Sequence, residues 1–169
     1  MEFKKIQLNG FKSFAEKADF LIEDGLTGIV GPNGCGKSNI VESLRWAMGE
    51  TSAKSMRGSG MEDVIFSGTS NKASKNIAEV TIEVENKDKE GPVQYRDHDQ
   101  IQIKRKIEKD KGSKFYINGK EVRARDTQMF FADLSTGAHS PSMISQGRIG
   151  ALVTAKPTDR RAILEEAAG

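Results

Sequence analysis

The eight residues from Gly31 to Ser38, GPNGCGKS, constrain this chain more than any other feature, because they satisfy G-x-x-x-x-G-K-[ST] between a strand-like run and a helix-like one. Upstream, Leu26, Ile29 and Val30 form a short apolar run that stops at Gly31. Downstream, Ile40, Val41, Leu44, Ala47 and Met48 recur at spacings of three and four, which predicts a helix from Lys37 with one apolar face and Gly49 as its stop. Gly34 and Gly36 admit backbone torsions closed to other residues, so successive N–H groups can converge on phosphate oxygens, and the helix start adds its positive dipole end. Lys37 then reaches the β- and γ-phosphates and the Ser38 hydroxyl coordinates Mg2+. Strand, loop and helix together predict a nucleoside triphosphate site.

Composition narrows the setting of that site. The chain has 169 residues, 26 Lys plus Arg against 24 Asp plus Glu and a net charge of +2, which suits one domain and carries no global signature of nucleic-acid binding. No apolar run approaches the roughly 18 residues that span a bilayer, and MEFKKIQLNGF lacks the apolar stretch of a signal peptide, so neither membrane insertion nor export is expected. Cys35 is the single cysteine, which rules out an intrachain disulfide framework, and with only His98 and His139 beside it a zinc cluster is not expected; a reducing cytosol fits best.

Around the loop the pattern is β-rich. Ile6 and Leu8 alternate with polar neighbours, and Phe20 to Ile22 forms a second short run, so three strands, counting residues 26 to 30, precede the first helix. Residues 50 to 76 read as loops around an apolar cluster from Val64 to Phe66. A β-rich excursion follows over residues 77 to 123: Val80, Ile82 and Val84 alternate, Ile101, Ile103 and Ile107 repeat the theme, and Asn118-Gly119 marks a tight hairpin. Met129 to Leu134 suggests a short helix capped by Asp126, and residues 157 to 169 a terminal one.

Six strings, GFKSF (10–14), GPNGCGKSNI (31–40), KSMRG (54–58), DVIFSG (63–68), ISQGRI (144–149) and the terminal EEAAG, resemble the N-terminal head segment of structural maintenance of chromosomes (SMC) proteins of the bacterial condensin type, in order along the whole chain. The resemblance implies an α/β fold of the P-loop NTPase class, an ATP-binding-cassette-like head N-lobe covering residues 1–169, with ATP and Mg2+ as cofactors. It extends the nucleotide-binding stretch to Lys12, Ser13, Gly31, Pro32, Asn33, Gly34, Cys35, Gly36, Lys37, Ser38 and Asn39. Gln146 matches the glutamine that helps ligate Mg2+ and orient the attacking water; from its neighbours alone it is a loop residue. Arg57 matches an arginine near the phosphates, which, with Lys37 and Gln146, makes up the catalytic set.

Two elements that hydrolysis requires in this family, an acidic residue closing an apolar strand and a serine-glycine signature loop from a partner head, do not occur in the 169 residues. The resemblance therefore implies half of a head. Its expected partners are a C-terminal lobe of the same protein, a second copy, double-stranded DNA and a kleisin-type accessory subunit, in the cytoplasm at the nucleoid. A DNA-repair ATPase with a similar head and a stand-alone nucleotide-binding module are the alternatives. DNA contact has one local candidate: residues 104 to 114 hold six basic and two acidic side chains, with Lys104, Arg105 and Lys106 in front. A solvated hairpin is an equal reading of that run.

Overall fold

In the computed structural model, which describes residues 1–87, 89, 91–133, 154–159 and 161, the alternating N-terminal run becomes β1 (Glu2–Asn9), which pairs on one side with β2 (Ala18–Leu21) and on the other with β3 (Ile77–Glu85). β4 (Gln100–Glu108), β5 (Gly112–Ile117) and β6 (Lys120–Val122) extend the sheet in the order β2-β1-β3-β4-β5-β6, with every neighbouring pair antiparallel. The β-rich stretch is thus no separate body. It is continuous with the N-terminal strands through the β1–β3 ladder, where Ile6 faces Ile82 and Leu8 faces Val80.

Period-two alternation sends one side chain in two to a common core. Ile6, Leu8, Ala78, Val80, Ile82, Val84, Ile101, Ile103, Ile107 and Ile117 are all buried there. Covering them is α1 (Lys37–Ala47), which lies on β3 and β4 and inserts Ile40, Leu44 and Ala47, while Trp46 packs on Phe11. The second helix, α2 (Ala124–Asp133), packs on β5 and adds Phe130 and Phe131; Gln128 Nε2 donates to Gly49 O at 2.8 Å, fixing α2 beside the end of α1. α2 begins two residues before the expected cap. Asp126 sits inside its first turn, and its carboxylate accepts from the Arg123 backbone N–H at 2.9 Å, satisfying a helix-start donor from the third helical position instead of the flank.

The hairpin signal holds: Asn118 and Gly119 have φ of 48° and 79°, as a type I′ turn requires. The expected third strand does not form. Residues 26–30 make no ladder with any described strand, and Leu26 and Val30 are 96% and 91% exposed. Their apolar character is strand-like, but a strand exists only when a neighbour takes up its N–H and C=O groups, and none of the described strands lies beside this one. Most of the expected terminal helix, like Leu134, falls outside the described residues.

Candidate nucleotide site

The glycine-rich loop lies exposed from Gly31 to Cys35 and becomes half-buried where α1 begins. Gly34 and Gly36 take φ of 81° and 96°, the left-handed region that the motif requires of them. At Gly36 a second constraint is added: a Cβ there would lie 2.7 Å from Ser13 Oγ, so any larger residue would have to displace the Ser13 hydroxyl. Gly36 is the N-cap of α1 and offers no side chain to its first turn, where the Asn39 N–H bonds the Gly36 carbonyl at 2.9 Å and the Lys37 and Ser38 N–H groups get no side-chain cap, with the helix dipole behind them.

Lys37 Nζ folds back over the loop and donates to the carbonyls of Gly31 and Pro32, each at 2.6 Å, and Cys35 Sγ stands 4.0 Å away. The ammonium is thus held across the mouth of the loop by neutral acceptors, which a phosphate oxygen outcompetes as a charge-assisted partner. Ser38 Oγ, one residue into the helix, has no hydrogen-bond partner among the described residues. N–H donors at an uncapped helix start, an ammonium held by loop carbonyls beside the Cys35 thiol and a hydroxyl with no partner among the described residues fit a nucleoside triphosphate. For Mg2+ the described residues offer the Ser38 hydroxyl, an oxygen donor of the kind that a hard cation takes.

A polar network flanks the loop. Asn39 Nδ2 donates to Ser13 Oγ at 2.8 Å, and Arg57 Nη2 donates to Asn39 Oδ1 at 2.8 Å. Arg57 Nε pairs with Glu42 Oε1, and Lys12 Nζ pairs with the other oxygen of the same carboxylate at 2.5 Å while also donating to Met56 O. Arg57 ends the 3-10 turn Lys54–Met56 with φ of 54°, and Lys12 has φ of 47°. Left-handed backbone at non-glycine residues costs on the order of 1–3 kcal/mol and persists where the surroundings fix it. Around Arg57 the fixing is visible: the Asp63 carboxylate accepts from Ser59 N and Ser59 Oγ at 2.7 and 2.9 Å and from Gly60 N at 3.0 Å, bonds that hold its pKa below the usual carboxylate range.

The structure therefore gathers Lys12, Ser13, Gly31, Pro32, Asn33, Gly34, Cys35, Gly36, Lys37, Ser38, Asn39 and Arg57 around one helix start, and Gln146 lies outside the described residues. It adds Glu42 and Asp63, which sequence reasoning missed. Glu42 carried a faint signal, an acid on the helix that follows the loop, with basic residues in the GFKSF and KSMRG strings and nothing in the sequence to join them.

Arg105 needs correction. As an odd-numbered β4 residue it shares the inward face with Ile103 and Ile107, and it is only 3% exposed. Its Nη1 donates to Trp46 O at 2.8 Å and Glu50 O at 2.7 Å, its guanidinium lies 4.4 and 4.6 Å from the Trp46 and Phe115 ring centres, and burial lowers its pKa to about 10. It clamps the end of α1 and is not available to a nucleic acid. Lys104 and Lys106 do lie on the outer face, but Lys106 is 4.0 Å from Glu79, Lys111 pairs with Glu108 at 2.6 Å and Lys114 with Glu121 at 3.1 Å, so carboxylates offset much of the run's positive charge.

A sheet packed on the helix that a phosphate loop opens defines the N-terminal part of an ATP-binding-cassette-like ATPase head. The chain belongs to the RecF/RecN/SMC N terminal domain family, whose profile matches residues 2–148. It is 55% identical over 169 residues to the chromosome partition protein Smc of Rhodopseudomonas palustris and 56% identical to that of Cereibacter sphaeroides. Both alignments cover all of this chain, which spans 15% of the length of those relatives. Among solved structures it is similar to one from work on ATP-driven dimerization and DNA stimulated activation of SMC ATPases, with a TM-score of 0.84, 30% identity and 99% of each chain covered. It is also similar to the Pyrococcus furiosus Smc head domain with an extended coiled coil bound to the C-terminal domain of ScpA, with a TM-score of 0.84 and 32% identity over 99% of this chain and 42% of that one.

Proposed function

We propose that this chain is the N-terminal ATP-binding lobe of a bacterial chromosome-organising SMC ATPase, acting in chromosome condensation and segregation. The observation that carries the reading is the Lys37 ammonium resting on the Gly31 and Pro32 carbonyls over an uncapped helix start. In this reading Gly31 to Asn39 bind the triphosphate, Ser38 and Gln146 hold Mg2+, Gln146 positions water, and Lys37 and Arg57 offset the charge that develops on the transferred phosphoryl group. Lys12 and Ser13 shape the site's edge from the turn after β1.

Hydrolysis belongs to a larger assembly. Leu26, Ile29 and Val30, exposed and paired with none of the described strands, are the surface on which a C-terminal lobe of the same protein docks, and a second copy of the completed head closes the site. Accessory subunits of the kleisin type and double-stranded DNA are the further partners, in keeping with the ScpA-bound and DNA-stimulated SMC relatives. DNA contact through residues 104–114 now rests on Lys104 and Lys106. Identity of 55% to a chromosome partition protein along the whole chain favours this reading over a repair ATPase with a similar head.

The test is nucleotide binding and turnover. The 169-residue chain binds MgATP weakly, Lys37→Ala abolishes that binding, and turnover appears only when a C-terminal lobe and a second head are supplied. Undiminished binding by Lys37→Ala overturns the site, and Lys37-dependent hydrolysis by the chain alone overturns the division of labour and favours a stand-alone module.

A further inference from the structure

Glu42 stands out among the charged side chains. Its side chain is 10% exposed, it sits on α1 one turn beyond the phosphate loop, and its two carboxylate oxygens are taken by two different cations, Lys12 and Arg57. A buried carboxylate is costly unless paired, and here the pairing is complete: one oxygen for each cation. The two cations are treated unequally. Lys12 is 13% exposed and also bound to Met56 O, whereas Arg57 is 58% exposed and held along one edge, Nε on Glu42 and Nη2 on Asn39.

An arginine side chain free in solvent samples many rotamers, and ordering it costs free energy at the moment it engages a ligand. Holding Nε and Nη2 removes that freedom in advance while the side chain stays 58% exposed. The hold is also connected to the loop. Asn39, which shares Arg57 with Glu42, donates to Ser13, and Ser13 Oγ is the atom that a Cβ on Gly36 would strike. From Glu42 a chain of contacts therefore runs through Arg57, Asn39 and Ser13 to the glycine that caps α1.

We propose that Glu42 is a positioning residue for the nucleotide site: its buried carboxylate pre-orders the Arg57 guanidinium beside the phosphate loop, with Lys12 as the second cation that holds the carboxylate in place. The inference rests on the nucleotide reading above. Glu42 does not touch the phosphates; it acts through Arg57, so its contribution exists only while Arg57 is present.

A double-mutant cycle in the full-length protein that carries this chain tests this, with MgATP affinity and the KM and kcat of hydrolysis as readouts. Glu42→Gln weakens MgATP binding about tenfold, the coupling expected within one hydrogen-bond network, and raises KM more than it lowers kcat. In an Arg57→Ala background the same change has no further effect, and Glu42→Asp restores part of the loss. Additive losses from Glu42→Gln and Arg57→Ala overturn the proposal, as does a loss in thermal stability with unchanged nucleotide parameters. If Glu42→Gln does not fold, the cycle is run with Glu42→Asp under the same criterion of non-additivity. Lys37→Ala separates the two levels: if it leaves MgATP binding intact the nucleotide reading itself fails, and if it abolishes binding while the cycle is additive only the role of Glu42 fails.

Discussion

The six-stranded sheet and the segment from Leu26 to Gly36 are built on opposite terms. In the sheet every strand has a partner, and its inward side chains meet α1 and α2 in one cluster. The loop-bearing segment has apolar residues of the same kind, yet Leu26 and Val30 stand in solvent and the Lys37 ammonium is satisfied by two backbone carbonyls of its own loop. Stability resides in the first region and the chemistry of binding in the second. α1 is their joint: its apolar stripe belongs to the core, and its N-terminus belongs to the site.

If that division is right, the largest effects on folding come from the core with no change in ligand preference. Ile103→Ala, at a fully buried position between β3 and β5, lowers stability in urea denaturation by about 2–5 kcal/mol while the folded fraction keeps its MgATP affinity. Arg105→Leu follows, with a loss on the order of 2–3 kcal/mol, because it leaves the Trp46 and Glu50 carbonyls without their buried donor. Unchanged DNA affinity in that variant confirms its inward role; a flattened salt dependence would contradict it.

Asp63 tests the boundary between the regions. Its pKa is lowered by the Gly60 N–H and by the hydroxyl and N–H of Ser59, so its carboxylate stabilises the Arg57 loop fully above the ordinary Asp value of 3.8, and the contribution is lost as pH falls from there through the lowered folded-state pKa. Acid titration followed by thermal melting therefore shows wild type more stable than Asp63→Asn at neutral pH, with the two curves converging at the acid end. The smallest effect belongs to the exposed segment: Leu26→Asp changes the stability of the 169-residue chain by less than about 0.5 kcal/mol, measured in urea. A large loss there would mean that the segment is already packed, and would erase the contrast.

Much of this was legible in the residues. The motif located the loop, the three-and-four spacing found α1, and Asn118-Gly119 found the hairpin, because each depends on local geometry that a short string can encode. What was hidden depends on pairing across the chain. Arg105 looked basic and exposed in a run of lysines, and only the phase of β4 turns it inward. Leu26 to Val30 looked like a strand because its side chains are right for one, but strand formation is decided by a neighbour's backbone. Glu42 joins Lys12 and Arg57 from segments that are 30 and 15 residues away, a meeting that no spacing rule announces.

Amide hydrogen exchange with and without MgATP, in the full-length protein that carries this chain, tests the account most directly. The prediction is that nucleotide slows exchange from Gly31 to Asn39 and around Arg57, leaves β3 and β4 unchanged, and does neither in Lys37→Ala. Protection confined to the sheet, or protection of the loop that survives Lys37→Ala, would contradict it.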